Sequence, residues 1–190
     1  MKISIIGDGV FGTFLKQEIQ PYVEIVAPSE SGIVILAVPA SAYEQVSDWY
    51  AGMHLVNVCS VQEETNKICL RYSNQVTGIH PMYGPRSPYT GRTCILTRNT
   101  MENNPVVDLF QKMCEKIVYG VSDTLHDQYM AKTHLQVVRI SELIKGIADD
   151  ASQVPEECLP TSFKRLKELS EQFLDMSPGT LSSIKSNRFR

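Results

Sequence analysis

The sequence predicts an α/β protein, a mostly parallel sheet followed by a small C-terminal helical unit. Short β-branched runs alternate with helical stretches as far as about residue 121. A glycine-rich turn, Gly7-Asp8-Gly9-Val10-Phe11-Gly12, stands between the first of those strands and the first helix. From Ser122 a long proline-free helical pattern replaces the alternation. These observations divide the 190 residues into a sheet domain, 1–121, and a helical domain, 122–190.

Lys2-Ile3-Ser4-Ile5-Ile6 is apolar and β-branched, a buried strand. The glycines follow directly, and strand, glycines and helix in that order form the context that gives Gly-x-Gly-x-x-Gly its meaning. The first glycine makes the tight turn, the second lets backbone approach a pyrophosphate, and the third lets helix pack on strand. The helix N-terminus adds unpaired N–H groups and partial positive charge. Gly7, Gly9, Val10, Phe11 and Gly12 are therefore the expected cofactor cradle of a Rossmann-type domain. Residues 23–26 form the second strand, after which an acid would normally grip the adenosine ribose. Ala27-Pro28-Ser29-Glu30-Ser31 offers Glu30, or two serines for a 2′-phosphate, so the cofactor is NAD or NADP, with NAD preferred.

The strand over 33–38 follows so closely that the usual crossover helix is missing. It ends at Val38-Pro39, a second cofactor-facing position, and a helix covers 41–50. Residues 55–58 form a strand ending at Cys59-Ser60. The strand over 74–79 runs into His80-Pro81-Met82-Tyr83-Gly84-Pro85, where two prolines and a glycine lock a turn. Ligands bind beyond the carboxyl ends of parallel strands, so the glycine loop, Val38-Pro39, Ser60 and His80 describe one cleft. A strand at 94–96 and a helix over 104–117 complete the sheet domain. One helix is expected from 122 to 149, capped by Ser122 or Asp123, with Met130, Val137, Ile140, Ile144 and Ile147 apolar. A second follows over 162–174, and Ser177-Pro178 reads as the N-cap and N1 of a third.

The net charge of −3 argues against nucleic acid as a partner. The longest apolar run, about 32–40, falls well short of the roughly 20 residues of a membrane span. Five scattered cysteines without Cys-x-x-Cys spacing read as reduced thiols of a cytoplasmic protein. The four histidines lack paired metal-ligand spacing, so no metal is expected. His126 and His134 share the expected long helix, where a surface or capping role is the preferred reading.

Taken together, Gly7-x-Gly9-x-x-Gly12, Ala37-Val38-Pro39, Asn57-Val58-Cys59-Ser60-Val61, His80 to Pro85 and His126-Asp127 resemble the prephenate/arogenate dehydrogenase family. Phe163-Lys164-Arg165-Leu166 resembles part of that family's helical domain in shortened form. The resemblance implies hydride transfer from C4 of prephenate or arogenate to NAD(P)⁺, with loss of carbon dioxide, in tyrosine biosynthesis. It implies that His80 accepts the 4-hydroxyl proton, that Ser60 orients His80 and the nicotinamide, and that Arg165 pairs with a substrate carboxylate. The chain departs from the family at Asn57, Cys59 and Gln62, where aspartate, glycine and lysine are common. A second histidine of the family's helical domain falls on Val138, with His134 one turn earlier as the substrate-facing candidate. The apolar surface of the 122–149 helix implies a homodimer. Two alternatives stand beside this reading: another short NAD(P)-dependent hydroxy-acid oxidoreductase, and an NAD(P)-binding regulatory module without turnover.

Overall fold

A computed structural model describes residues 1–174 and 176–190. The first part runs β1 (Lys2–Ile6), α1 (Val10–Ile19), β2 (Glu24–Ile25), β3 (Ile33–Leu36), α2 (Tyr43–Trp49), β4 (His54–Asn57) and α3 (Glu63–Tyr72). It continues with β5 (Val76–Pro81), β6 (Thr93–Asn99), α4 (Pro105–Met113) and β7 (Lys116–Val118). The strands form one sheet in the order β2-β1-β3-β4-β5-β6-β7, parallel except where β6 runs antiparallel to β5. This is the expected α/β Rossmann-type sheet. The order reverses at β1, which lies between β2 and β3, and there the ligand crevice of such sheets opens.

Alternation along the strands serves two cores. Ile3, Ile5 and Ile35 pack with Phe14 and Leu15 of α1 and Phe110 of α4 on one face. Val34, Leu36 and Leu55 pack with Tyr43 of α2 and Ile68 of α3 on the other. Strands covered on both faces read as continuous apolar runs, as Ile33–Leu36 does. Between β2 and β3 the chain makes only a 3₁₀ turn, Pro28–Glu30, as the missing crossover helix implied. Hydroxyls work there instead of apolar packing. Ser4 Oγ donates to Val26 O at 2.6 Å, and Ser31 Oγ accepts from Ile33 N at 3.0 Å.

Two expected helices are corrected. The 104–117 helix stops at Met113, because Cys114 turns extended (φ −132°, ψ 156°), and Ile117 pairs with Cys94 in β7. The 122–149 helix is broken at Thr133 (φ −124°, ψ −80°) into α5 (Asp123–Lys132) and α6 (His134–Asp150). The Thr133 hydroxyl donates to Tyr129 O at 2.8 Å, a back-bond that bends helices. Beyond the break α6 buries Leu135, Val138 and Ser141, and the expected apolar positions Ile140 and Ile147 are exposed. Then come α7 (Thr161–Leu174), which packs along α6, and α8 (Pro178–Lys185). Ser177 caps α8 as expected, accepting from Thr180 N at 3.2 Å. Ile184 of α8 joins Leu135 and Val138 in a small third core. Among the described residues no helix is long and apolar enough to cross a membrane.

Candidate active site

The three glycines of the loop after β1 have different tasks. Gly7 has φ +125°, and a Cβ on it would collide with the Ala37 carbonyl of β3's end. A Cβ on Gly12 would strike the Gly7 carbonyl. A Cβ on Gly9 would meet no described atom within 4 Å, so open space lies above the start of α1. Gly9 is also the N-cap, and no side chain caps the first-turn N–H groups of Val10, Phe11 and Gly12. A pyrophosphate fits this cradle. Asp8, the one acid in the loop, is exposed and paired with Lys16 at 2.6 Å; that hydrogen bond lowers its carboxyl pKa.

At the end of β3 Val38 is half-buried against the α2 core, and Pro39 is exposed. The tail of the chain sits beside them: Ala40 N donates to Ser183 Oγ at 3.0 Å, and a Cβ on Gly179 would come 2.6 Å from Pro39 Cγ. Near β2 the Ser31 hydroxyl is bound to the backbone, so it is not available to a 2′-phosphate. Ser29 and Glu30 remain exposed.

His80 is set by its strand. The β5–β6 register shifts at Gly78/Ile79, and a Cβ on Gly78 would meet the Asn66 amide and Gln62 Oε1. Those amides belong to a buried network in which Asn57 Nδ2 donates to Thr65 and Asn66 at 2.8 Å each. Asn66 Nδ2 in turn donates to Asp123 Oδ1 at 2.9 Å. Asn57 and Gln62 thus brace the strand that carries His80. Beyond it Tyr83 is buried, edge-on to Phe14 (82°). Arg92 stacks over Tyr83 at 4.8 Å and pairs with Glu18 of α1 at 2.5 Å, fixing the loop to α1. A cavity of ≈570 Å³ remains there, with Val10, Phe14, Tyr89 and Arg92 in its wall.

The His80 imidazole is 5 % exposed and bonded through Nδ1 to His126 Nε2 at 2.9 Å. His126 Nδ1 meets Asp127 Oδ1 at 2.8 Å. The Asp127 carboxylate also accepts from Gln62 N at 2.8 Å and Glu63 N at 2.9 Å, the start of α3. Its backbone carbonyl accepts from Asn187 Nδ2 at 2.8 Å. No described residue bonds His80 Nε2. Burial first, then the neighbouring His126 and His134, hold the His80 pKa well below its usual value, so the ring is neutral at pH 7. His134 is half-buried, its Nδ1 has no partner among the described residues, and burial with His126 nearby lowers its pKa too.

The expected strand-end residues therefore do share one edge: the glycine loop, Val38-Pro39, Ser60 and His80 follow adjacent strands. Ser60 is half-buried and its hydroxyl bonds to no described residue; the partner of His80 is His126. The surface or capping role for His126 is corrected, since it is fully buried in the site. Its signal in the sequence was the His126-Asp127 pair behind the Ser122 cap. Val138 is core. Arg165 is exposed on α7, and no hydrogen bond or ion pair ties it to the His80 cluster or any other described residue.

No protein-family model and no curated protein matches the sequence. Solved structures do. A Corynebacterium glutamicum protein assigned as a prephenate dehydrogenase superposes with a TM-score of 0.72 at 16% identity, over 98% of this chain and 75% of that one. The chain shares that protein's fold. Aquifex aeolicus prephenate dehydrogenase, in complex with hydroxyphenyl propionate and NAD⁺, gives 0.58 at 15% identity, over 97% of this chain and 86% of that one. Synechocystis arogenate dehydrogenase gives 0.55 at 18% identity, over 97% of this chain and 87% of that one. The shared fold comes here with a seven-stranded sheet and a tail, α8, that packs back on the end of β3.

Proposed function

We propose that the chain catalyses NAD(P)-dependent oxidative decarboxylation of prephenate or arogenate. The observation that carries this reading is the neutral His80 imidazole at the end of β5, on the same sheet edge as an uncapped glycine loop. NAD(P)⁺, when bound, supplies the acceptor for a hydride and its electron pair from C4. His80 Nε2 takes the 4-hydroxyl proton as the ketone develops. Carbon dioxide leaves with its bonding electrons passing into the ring, and His80 returns the proton to the phenolate oxygen. The first turn of α1 would hold the pyrophosphate, and burial around His80 keeps water from the developing charge. Ser60 would serve the nicotinamide side, and His134 and Arg165 the substrate side.

The same reading includes a homodimer. Ile140, Leu143 and Ile147 of α6 are 50–66 % exposed, and Leu166, Leu169 and Phe173 of α7 are 40–46 % exposed. That apolar surface is the proposed contact between two copies.

One assay tests the function. The protein is mixed with prephenate or arogenate and NAD⁺ or NADP⁺, and reduced cofactor is followed by absorbance. Turnover with either substrate supports the proposal. Turnover only with other hydroxy acids, or cofactor binding without turnover, refutes it in favour of a different oxidoreductase or a regulatory module.

A further inference from the structure

With both rings neutral, the hydrogens along the buried chain Asp127–His126–His80 are determined by its acidic end. Asp127 presents only acceptors, and both its oxygens already accept from backbone amides. The ring nitrogen facing it, His126 Nδ1, must donate, which makes Nε2 of a neutral His126 the acceptor. That nitrogen faces His80 Nδ1 at 2.9 Å, so His80 Nδ1 carries the hydrogen and His80 Nε2 is left with a lone pair. We infer that His126 and Asp127 are positioning residues that hold His80 in the Nδ1–H tautomer, with Nε2 free to take a proton from a substrate hydroxyl. The inference rests on the dehydrogenase reading of the site.

The arrangement has no slack. Asp127 is immobilised by Gln62 N and Glu63 N at the start of α3, and by Asn187 Nδ2 on its own carbonyl. His126 is 0 % exposed and its ring stands 80° to that of His80, with centroids 5.0 Å apart. The other tautomer would bring two N–H groups, or two lone pairs, face to face somewhere in the chain. When Nε2 accepts the proton, His80 becomes an imidazolium with N–H on both nitrogens, and His126 Nε2 continues to accept from Nδ1. The hydride leaves the same substrate carbon with its electron pair for the oxidised dinucleotide.

Nitrogen-15 NMR of histidine-labelled protein reads the tautomer directly, without any substrate. A protonated Nδ1 and an unprotonated Nε2 on His80 are expected; a protonated Nε2 at neutral pH overturns the inference. Kinetics then test the role. His126→Phe removes the acceptor and should lower kcat at least tenfold with the dissociation constant of the dinucleotide unchanged. His126→Gln, whose Oε1 can accept from His80 Nδ1, should recover most of that loss. Equal activity of the two variants, at the parent level or far below it, overturns the positioning role. A parent that turns over neither prephenate nor arogenate defeats the dehydrogenase reading instead, while the tautomer spectrum still decides the inference. The spectrum decides it equally if His126→Phe does not fold.

Discussion

His54 makes the protein acid-sensitive, by an amount that follows from its surroundings. It begins β4 at 2 % exposure; Nε2 lies 2.8 Å from Thr77 Oγ1, and Nδ1 is buried with no partner among the described residues. A charged imidazole needs both nitrogens to donate, so burial pulls the pKa down from 6.5 to about 4. The unfolded chain therefore binds a proton on His54 over the window from about pH 6.5 to 4 in which the folded chain does not. Stability falls as pH drops through that window, and below it this contribution changes no further. Between pH 7 and pH 5 the loss from His54 alone is about 2 kcal/mol. Urea unfolding of the parent and of His54→Gln at both pH values isolates it, because carboxylate titration is common to both proteins. The parent should lose about 2 kcal/mol more than the variant on acidification. Equal losses would mean that His54 is hydrated and titrates normally.

Other expectations follow from the site. His80→Asn should lower kcat by about 10²–10⁴-fold with dinucleotide binding intact. Because the His80 pKa is lowered, the acid limb of kcat/KM in the parent should lie below pH 6.5, and the variant should lack it. Gly12→Ala forces a Cβ onto the Gly7 carbonyl and should cost about 1–3 kcal/mol of stability. Gly9→Ala enters open space and should stay within about 0.5 kcal/mol of the parent in unfolding, yet weaken dinucleotide binding measured by calorimetry. Arg165→Ala should raise KM at least tenfold, as a charged hydrogen bond of about 1.5–3 kcal/mol to substrate is lost, without changing dinucleotide affinity. Light scattering should give twice the 21.3 kDa chain mass, and Leu143→Glu with Ile147→Glu should halve it; a monomeric parent would refute the dimer.

Much of the cleft was legible because its determinants are local. A glycine with positive φ and an N-cap serine act within a few residues, so Gly7 and Ser177 read correctly from sequence, and His80 was placed at its strand's end although β5 runs on through Pro81 rather than stopping at residue 79. The misses arose where spacing imitates continuity. Ile117 lies four residues beyond Met113, so the helical spacing continues through the turn at Cys114; only pairing with β6 makes β7 a strand. Met130 and Val137 are likewise seven apart, two helical turns, and that spacing hides the break at Thr133. His126 was misread for a different reason. Its partner is 46 residues away, and no helical periodicity shows that α5 lies against α3 and β6.

The polar edge at β1 and β2 has a practical consequence for protein engineering. A crossover helix grafted between β2 and β3 would be one way to extend the wall of the crevice at this edge. Here Ser4 and Ser31 occupy the ground such a helix would cover, and both hydroxyls are committed to backbone carbonyls of the neighbouring segments. A grafted helix would bury them under apolar side chains and displace the 27–32 segment that they hold. Any insertion library at this edge should therefore vary positions 4 and 31 together with the insert, since the loop alone is not the unit that can be exchanged.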